Sequence, residues 1–310
     1  MLFSRHIFSC NFKTAATLPA FKGSIIRGML GWALRQTACA LRRSDCTACL
    51  LLTRCVYAKA FETIAPQYHH SKKTPPHPYV LEPPLSETRE YQADDSFEVA
   101  LLLFGEMTQY LPYFIYAFEQ MGEAGLGSSR EQGPARFTLI RVSCEGDTIY
   151  DQASKTLRPS RQPISLHLPP PPTGAECSRL RVSLVTPLRI KHLNTFAREL
   201  PFHVLVRAML RRISSMFAQY GDGEPKLDYP GLVKRAQDVS INSQHLRWKD
   251  WTRYSARQQQ AMQFGGLVGE IVYEGCLTEY LPLFELCTVL HVGKQSVFGL
   301  GQMDYTQEPC

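Results

Sequence analysis

The chain lacks apolar runs long enough to cross a membrane. Its longest runs, such as Val99 to Phe104, are only a few residues long, whereas a spanning helix needs about 20. The first residues, Met1 to His6, contain neither a long apolar core nor a small-residue cleavage site, so secretion is not expected and we predict a cytoplasmic protein. Apolar residues make up 44% of the chain and charged residues 20%, a globular composition that argues against a disordered or fibrous protein.

Nucleotide-binding motifs are also missing. A P-loop built on Gly293 and Lys294 would need glycine at position 288 and serine or threonine at position 295, but the chain has Thr288 and Gln295 there. No Gly-x-Gly-x-x-Gly sequence follows a predicted strand either. We therefore expect no nucleotide cofactor. The glycines between 293 and 301 indicate a backbone that approaches a phosphate or a neighbouring element closely, or an ordinary turn.

Positive charge is concentrated in one region. The formal net charge of the whole chain is +6. Between Arg189 and Arg257 there are 13 Lys and Arg residues against 6 Asp and Glu residues, so the remainder is close to neutral. A basic stretch of this kind predicts a polyanionic partner bound there.

Four of the ten cysteines lie close together. They follow the pattern Cys-x6-Cys-x2-Cys-x5-Cys at Cys39, Cys46, Cys49 and Cys55. In a reducing compartment, clustered thiols are more typical of metal ligands than of disulfides, and four thiolates satisfy tetrahedral zinc. We expect a structural zinc ion that folds an insertion at about 36–61, with an iron–sulfur cluster as the second choice and reduced cysteines that never meet as the alternative.

Length and proline content predict two domains. The chain of 310 residues is about twice as long as a usual domain. The prolines between Arg158 and Gly174 are unsuited to a helix or a central strand, so we place a linker at 159–177 between domains at 1–158 and 178–310. A second stretch with several prolines, Gln67 to Arg89, is predicted to form an exposed loop.

Hydrophobic periodicity predicts the same order of elements in both halves. In the second half the order is β-α-β-β-α-β, which is that of a ferredoxin-like domain, and the first half repeats it more faintly. The predicted elements of the second half are Arg179–Arg189, Phe202–Tyr220, Leu246–Ala256, Gly266–Glu274, Thr278–Leu286 and Ser296–Tyr305. Those of the first half are Phe3–Phe12, Ser24–Leu41, Phe97–Phe104, Thr108–Met121 and Arg136–Val142. We therefore predict an α+β protein with two tandem ferredoxin-like (RRM-like) domains and a Cys-rich insertion.

Basic and aromatic residues alternate near the middle of the second half. If this segment is a strand, one face presents Arg247, Lys249, Trp251, Arg253 and Arg257. Cations around an aromatic ring suit phosphate contacts combined with base stacking, and a solvated strand face is the alternative. The opposite face is expected to join the core through Leu246, Trp248, Thr252, Tyr254 and Ala256. The preceding helix extends the predicted basic surface with Arg207, Arg211 and Arg212.

Several segments together resemble one protein family. His291 to Gly301 is similar to the C-terminal glycine-rich signature of the RAMP superfamily of CRISPR-associated proteins. Other segments resemble one branch of it, the sixth Cas family of repeat-RNA-processing endoribonucleases. They are Phe21–Gly31, the cysteine cluster with Cys55–Tyr57, Leu111–Phe114 with Gly125–Gly127, Thr186–Lys191, and Trp251–Arg257 with Gly265–Gly269. These segments cover nearly the whole chain in the family's order.

The resemblance implies two ferredoxin-like domains that bind the repeat of a precursor CRISPR RNA and cut it once. Cleavage in this family is metal-independent: the 2′-hydroxyl attacks the adjacent phosphate and leaves a 2′,3′-cyclic phosphate and a 5′-hydroxyl. Because the nucleophile belongs to the RNA, the protein needs only a base, an acid and a cation. The implied partners are CRISPR repeat RNA, its product crRNA and other Cas effector subunits.

Candidate site residues follow from this comparison. Many family members place a catalytic histidine in or near the first helix, but Ser24 to Arg43 contains none. His291 precedes the glycine loop and can exchange protons near neutral pH, with a packed histidine as the alternative. The other catalytic candidates are Lys22, Arg27, Tyr57 and Lys59, with His192 and His203 as secondary ones. The predicted RNA contacts are Arg35, Arg189, Lys191, Arg207, Arg211, Arg247, Lys249, Trp251, Arg253, Arg257, Gly293, Lys294, Gln295, Ser296, Gly299 and Gly301.

Two other functions stay open at this point. A RAMP subunit without catalytic activity would hold guide RNA in an effector complex, and the lack of a histidine in the first helix allows this. A zinc-dependent interaction domain on the same scaffold would have no role with RNA, which the basic stretch argues against. Cleavage of repeat RNA distinguishes the enzyme from both.

Overall fold

The structure, a computed structural model, describes residues 1–41, 45–62, 75–128, 133–158, 162–173, 176–255 and 260–308. The chain divides into two units, Met1–Ser165 and Leu166–Cys310. Each unit contains its own antiparallel sheet. The division falls inside the stretch 159–177 that the prolines mark as a linker.

Within its described residues, the first unit contains a seven-stranded sheet. The spatial order of the strands is β3-β5-β1-β6-β7-β8, with β9 paired to β1 and a separate β2-β4 ladder. The elements are β1 (Leu2–Phe12), β2 (Ala16–Thr17), α1 (Gly23–Ala38), β3 (Tyr79–Glu82), β4 (Glu90–Tyr91), β5 (Ser96–Phe104), α2 (Leu111–Ala124), β6 (Phe137–Cys144), β7 (Asp147–Asp151), β8 (Thr156–Leu157) and β9 (Ile164–Ser165).

The core of this unit lies between the sheet and its helices. The apolar run of β5 is buried from Val99 to Phe104. Phe8 of β1 stacks on Phe118 of α2 with ring centroids 4.2 Å apart, and such a pair adds about 0.5–1.5 kcal/mol to its burial. Gly122 allows α2 to approach β6 closely, because a Cβ there would overlap the Phe137 carbonyl. These contacts fix the helices on one face of the sheet.

One strand lies where the sequence predicted a loop. The expectation of an exposed loop from Gln67 to Arg89 is wrong at β3, which pairs antiparallel with β5. Tyr79, Val80 and Leu81 are fully buried. The prolines on both sides conceal the strand in the sequence, since proline is tolerated at the ends of an edge strand. Positions 63–74 lie outside the described residues. With β3 in place, β1, α1, β3, β5, α2 and β6 confirm the predicted β-α-β-β-α-β order.

The second unit repeats this order. The elements are β10 (Arg179–Leu188), β11 (Lys191–His192), β12 (Thr195–Phe196), α3 (Phe202–Tyr220), α4 (Tyr229–Arg235), β13 (Ser240–Ser255), β14 (Gln260–Glu274), α5 (Leu281–Leu290) and β15 (Met303–Gln307). The sheet order is β13-β14-β10-β15, and β11 pairs with β12 in a hairpin. The predicted ferredoxin-like arrangement is confirmed in both units. No described helix of either unit is long and apolar enough to cross a membrane.

The last strand is shorter than the sequence predicted. A strand was expected from Ser296 to Tyr305, but Ser296–Phe298 forms a 3-10 turn and β15 starts only afterwards. Gln295, Gly299 and Gly301 have φ values of +68°, +86° and +74°. A strand cannot contain such left-handed residues, so the glycine loop is a turn that precedes β15.

Candidate functional site

The glycine loop, Gly293 to Gly301, is bound to the end of β10. The Lys294 N–H donates to the Arg189 carbonyl at 2.8 Å, and the Gly301 N–H donates to the Pro187 carbonyl at 3.1 Å. Gly293 and Gly301 have φ values of +88° and +74°, and a Cβ at either position would overlap a backbone carbonyl. The glycines therefore allow the loop backbone to pack closely against other backbone segments of the second unit.

Most of the predicted RNA contacts in this loop have little exposure. Lys294 is exposed and can meet a phosphate. The Thr186 hydroxyl donates to the Gly299 carbonyl at 2.7 Å, which ties the loop to β10. The other predicted contacts of the loop are half-buried or buried: Gly293, Gln295, Ser296, Gly299 and Gly301. Their contact with RNA stays a prediction.

His291 lies at the end of α5 and is fully buried. The backbone N–H of His291 donates to the Cys287 carbonyl at 3.1 Å, and the ring Nδ1 lies 3.2 Å from the Leu300 carbonyl. Its φ of +57° is strained for a residue other than glycine, so the surrounding contacts hold it in place. This geometry favours the alternative of a packed histidine, and the catalytic role of His291 stays a prediction.

Arg189 carries a buried guanidinium beside the glycine loop. The residue is only 6% exposed, and the guanidinium lies 4.3 Å from the Phe196 ring centroid and 4.8 Å from that of Phe264. Among the described residues, its Nε and Nη1 have no hydrogen-bond partner. Burial lowers the pKa of Arg189, which the Asp250 carboxylate opposes. An arginine remains charged at neutral pH, and a buried charge with unpaired donors is costly until an anion binds to it.

A second cation lies over an aromatic ring nearby. Arg198 is 5.0 Å from the Trp248 ring centroid, and Trp248 is 6.4 Å from Phe196. The Trp248 Nε1 donates to Asp250 Oδ1 at 2.7 Å. Gly265 leaves the space that this indole and carboxylate occupy, since a Cβ there would overlap both side chains. We call the combined set the aromatic–arginine layer: Arg189, Phe196, Arg198, Trp248 and Phe264.

The predicted basic face of β13 is present in the sheet. Antiparallel pairing with β14 places Arg247, Lys249 and Trp251 on the same side of the strand. Arg247 is exposed, and Lys249 and Trp251 are half-buried. Arg253 follows the same backbone register, and Arg257 lies outside the described residues. The RNA contacts assigned to this face stay a prediction.

The opposite face of β13 does not form the predicted core. Leu246 and Trp248 are half-buried and Thr252 is exposed. These side chains are not buried because β13 is the edge strand of the described sheet and pairs with β14 alone. Tyr254 is described only by its place in the strand, and Ala256 lies outside the described residues. A sheet edge leaves half of an amphipathic pattern in contact with water.

Helix α3 presents part of the predicted basic surface. Arg207 and Arg211 are exposed and lie one turn apart. Arg212 was expected beside them, but this expectation is wrong. Its Nε and Nη2 donate to the Leu290 carbonyl at 3.0 and 2.9 Å, and burial lowers its pKa to about 10. Arg212 therefore satisfies a terminal carbonyl of α5, as helix ends require.

His192 and His203 meet beside the β11–β12 hairpin. Their ring centroids are 6.4 Å apart in an edge-to-face arrangement, and both residues are half-buried. Burial, followed by His192 and Arg207, lowers the pKa of His203. His203 is therefore neutral at pH 7 and able to accept a proton. Lys191, a predicted RNA contact, is exposed next to this pair.

In the first unit, Lys22 is fully buried rather than exposed. Its Nζ donates to the Ser86 carbonyl at 2.6 Å and to the Ala20 carbonyl at 3.3 Å. Burial lowers the pKa of Lys22, and Glu87 opposes the change. These contacts give Lys22 a structural role immediately before α1. Its catalytic role stays a prediction.

Arg27 and Arg35 of α1 lie over two stacked aromatic rings. Arg27 is 5.0 Å from the Phe61 centroid and Arg35 is 5.6 Å from the Tyr57 centroid. The Tyr57 and Phe61 rings are 5.5 Å apart and nearly parallel, at 5°. Gly31 makes room for this packing, because a Cβ there would lie 2.7 Å from the Phe61 ring. The structure thus brings together three of the predicted site residues of this unit.

Tyr57 and Lys59 both hold their protons at neutral pH. The Lys59 Nζ lies 2.9 Å from Glu106 Oε2 and donates to the Tyr110 hydroxyl at 3.3 Å. Burial opposes the charge on Lys59, but these two partners outweigh it and raise the pKa. The Tyr57 hydroxyl donates to Glu62 Oε1 at 3.1 Å, and burial and Glu62 raise its pKa to about 12. Both groups can donate a proton but not accept one.

Three of the four clustered cysteines line a small cavity. Cys39, Cys49 and Cys55 line one cavity of about 130 Å³, and Cys46 is half-buried nearby. None of the four is in a disulfide. In the described part of the chain, no three His, Cys, Asp or Glu side chains are arranged to hold a metal ion. The zinc or iron–sulfur site stays a prediction.

Two family models match this chain. A model for an N-terminal domain, AF_1859_N, matches residues 1–162, and a model described as CRISPR-associated endoribonuclease Cas6 matches residues 182–303. Residues 182–303 of the chain therefore belong to the Cas6 family, and residues 1–162 match the separate N-terminal model. The resemblance that the sequence motifs indicated is confirmed, and with it the coarse function of CRISPR repeat RNA processing or RNA binding.

Alignments with known proteins cover nearly the whole chain. A protein of Archaeoglobus fulgidus, itself described as uncharacterized, is 23% identical over 291 residues, which cover 92% of this chain and 91% of the relative. A Cas6 product complex has a TM-score of 0.58 at 11% identity and covers 98% of this chain and 100% of that one. Thermus thermophilus Cas6 has a TM-score of 0.54 at 11% identity, with 98% of each chain covered. These structural likenesses confirm the fold.

One further solved structure contains a chain longer than this one. A partial Cas6-RT-Cas1–Cas2 complex has a TM-score of 0.56 at 12% identity. The match covers 99% of this chain but only 46% of that one. The chain described here therefore corresponds in fold to one part of that longer protein.

Sequence analysis missed four members of the aromatic–arginine layer: Phe196, Arg198, Phe264, and Trp248, which it placed in the core. The hairpin that carries Phe196 has strands of two residues each, too short for alternation to reveal. Phe264 reads as an ordinary core residue of β14. One signal was available: Arg198 lies within the basic stretch from Arg189 to Arg257. The sequence alone did not indicate which residue it contacts.

Proposed function

We propose that the protein binds the repeat of a precursor CRISPR RNA in the cytoplasm and cuts it once to release guide RNA. The 2′-oxygen forms a bond to the adjacent phosphorus while the bond from phosphorus to the 5′-oxygen breaks. The 2′-proton passes to a base and a proton is delivered to the 5′-oxygen, so the products are a 2′,3′-cyclic phosphate and a 5′-hydroxyl. Because side-chain cations can stabilise the charge on the phosphorane, the reaction needs no metal ion.

The observation that carries this proposal is the guanidinium of Arg189. It is buried between two aromatic rings, and no described residue accepts a hydrogen bond from its Nε or Nη1. A phosphate oxygen accepts such donors in a short, charge-assisted bond. The neighbouring rings of Phe196 and Trp248, the latter under Arg198, suit unpaired bases, which proteins recognise by stacking. This combination fits a single-stranded or looped RNA segment.

The exposed cations nearby extend the same surface along an RNA backbone. Lys191 of β11, Arg207 and Arg211 of α3, Arg247 of β13 and Lys294 of the glycine loop are all exposed in the second unit. Each phosphate that such a cation neutralises releases counterions, so binding should weaken steeply with salt. The buried Arg189 differs from these residues because water does not compete for its donors.

Each unit has its own candidate groups for proton transfer, and the two sets are alternatives. In the second unit, His203, whose pKa is lowered by burial, His192 and Arg207, is neutral at pH 7 and fits a base that accepts the 2′-proton. In the first unit, Tyr57 and Lys59 keep their protons at neutral pH and fit the roles of donor and cation. Arg27 and Arg35, which lie over the Phe61 and Tyr57 rings, add positive charge on the same unit as that donor.

A second function is supported by a specific observation. Helix α1, Gly23–Ala38, contains no histidine, and His291 is fully buried. A subunit that holds guide RNA without cutting it would use the same aromatic–arginine layer and would need no proton transfer. Its partners would be other Cas proteins, and one structure of similar fold is a Cas6-RT-Cas1–Cas2 complex.

The test uses the purified protein and its own CRISPR repeat RNA, with and without EDTA. A matched RNA carries a 2′-deoxy nucleotide at the cut site. Cleavage that survives EDTA and fails on the deoxy RNA supports the enzyme. Tight binding without cleavage of either RNA would overturn the enzyme in favour of the subunit, and the absence of binding would overturn both.

A further inference from the structure

The segment at 39–55 has no hydrophobic core of its own. None of its described residues, 39–41 and 45–55, is buried, and Leu50 is 95% exposed. Its backbone hydrogen bonds are those of local turns, such as Leu52 N–H to the Cys49 carbonyl at 3.1 Å. Short segments that bury no apolar side chains usually depend on a disulfide or a metal ion for their structure. Something other than hydrophobic burial must therefore hold this one.

The cysteines occupy the positions that shape the segment. Cys39 follows the last residue of α1. Cys46 is the first residue of the 3-10 turn Cys46–Ala48, and Cys49 comes directly after this turn. The backbone N–H of Cys49 donates to the Cys46 carbonyl at 3.2 Å. The Asp45 carboxylate accepts from the Thr47 N–H at 3.1 Å and caps this turn. In a 3-10 turn, side chains three positions apart point the same way, which is the arrangement of a zinc-binding Cys-x2-Cys pair.

All four thiols belong to one small region. Cys39, Cys49 and Cys55 line the same cavity of about 130 Å³, together with Ala38 and Arg54. Cys46 does not line this cavity, but it begins the 3-10 turn that Cys49 follows. Three thiols are therefore already grouped around one space, and the fourth belongs to the turn beside it.

We propose that Cys39, Cys46, Cys49 and Cys55 bind one zinc ion, which folds segment 39–55 onto the end of α1. Three of the thiols line the cavity, and the four are not at ligand spacing, so binding includes their closure around the ion and the release of four thiol protons. Four thiolates complete the tetrahedral shell of zinc and leave no position for a catalytic water. The site is therefore structural and takes no part in RNA cleavage directly.

The zinc ion would also position residues of the first unit. Tyr57 and Lys59 lie two and four residues after Cys55, and the Arg35 guanidinium lies 5.6 Å from the centroid of the Tyr57 ring. Loss of the ion should loosen the segment that leads into these residues. The effect on RNA cleavage would then be indirect, through the placement of Tyr57 and Lys59.

The test is the metal content of the full-length protein, purified under reducing conditions. We expect about one zinc ion per chain, released when a mercurial reagent titrates the thiols. Cys49→Ser should lose the zinc, whereas the matched control Cys276→Ser, which changes an exposed cysteine outside the cluster, should keep it. Trypsin should cut more rapidly after the exposed Arg54 in Cys49→Ser than in the control.

Three results would overturn the proposal: wild-type protein without metal and with four reactive cluster thiols, iron with acid-labile sulfide, or a disulfide within the cluster. The wild-type measurements decide the matter even if Cys49→Ser fails to fold. None of these readouts involves RNA, so a failure of the zinc proposal is distinguishable from a failure of the proposed cleavage reaction.

Discussion

Replacing Arg189 with methionine should weaken RNA binding without unfolding the protein. Methionine keeps a long apolar side chain between the rings of Phe196 and Phe264, which lie 4.3 and 4.8 Å from the guanidinium. The change removes Nε and Nη1, which have no hydrogen-bond partner in the part of the chain that the structure describes. An unpaired buried polar group costs about 1–3 kcal/mol, and the lost cation–π contacts are worth about 0.5–2 kcal/mol. These effects oppose each other, so the free energy of unfolding should change little.

The same substitution removes the donors that we expect a phosphate to use. A hydrogen bond to a charged group is worth about 1.5–3 kcal/mol, which corresponds to a Kd higher by about 10- to 150-fold. If one phosphate contact is lost, the slope of log Kd against log salt should fall by about 0.7 for single-stranded RNA. Arg189→Lys should give an intermediate Kd, because lysine keeps the charge but not the planar arrangement of donors.

The assay is fluorescence anisotropy with a 2′-deoxy repeat RNA, which cannot be cut, at several salt concentrations. Denaturant unfolding of the same samples reports their stability. Lys234→Gln is the matched control, because it removes an exposed positive charge of α4 in the same unit. An unchanged Kd in folded Arg189→Met would refute the role of Arg189 in binding. A fall in the free energy of unfolding by more than about 3 kcal/mol would show instead that Arg189 is structural.

Three further predictions concern buried titratable residues. Burial lowers the pKa of His6 to about 4, so the unfolded chain binds a proton between pH 6.5 and 4 that the folded chain does not. The free energy of unfolding should fall as the pH drops through this range, by about 3 kcal/mol at most, and His6→Gln should flatten this dependence in denaturant titrations. Lys22→Met should lower the free energy of unfolding by about 1–3 kcal/mol, because the Ser86 and Ala20 carbonyls lose their donor. The single-turnover cleavage rate of the folded variant should be unchanged, and a large loss of rate with normal stability would establish a catalytic Lys22. His291→Ala should lower the melting temperature and keep the cleavage rate. A rate loss of about 100-fold or more at an unchanged melting temperature would show that His291 is a catalytic acid or base.

Regular elements with a clear period could be predicted from the sequence. Helix α3 has the predicted bounds, Phe202–Tyr220, because its apolar residues recur at helical spacing up to Gly221. The alternation of β13 correctly placed Arg247 and Trp251 on one face, since the period of a strand does not depend on its neighbours. The β-α-β-β-α-β order followed from such local signals in both halves.

Features set by tertiary contacts could not be predicted. The strand β3 is only four residues long and lies between prolines, so no period marks it. Whether Trp248 joins a core depends on β13 being an edge strand, which local sequence does not encode. Lys22 resembles a surface lysine until the Ser86 carbonyl is brought to its Nζ at 2.6 Å, from a residue distant in sequence.

The site shows the same division between local and distant information. The stretch from Arg189 to Arg257 was recognised as basic from its composition. The special character of Arg189 arises because Phe196 and Phe264 enclose it, and Phe264 lies far along the chain. The spacing of the cysteines, by contrast, is a local signal, and three of them do line one cavity.

The most direct test of the central claim is the chemical identity of the ends that cleavage creates. Repeat RNA is cut by the protein in EDTA, and the fragments are analysed by mass spectrometry and by 5′-phosphorylation with a kinase. We predict an upstream fragment lighter by one water than the linear phosphate, which identifies a 2′,3′-cyclic phosphate, and a downstream fragment whose 5′-hydroxyl accepts the kinase label directly. A 3′-hydroxyl upstream with a 5′-phosphate downstream would contradict attack by the 2′-hydroxyl.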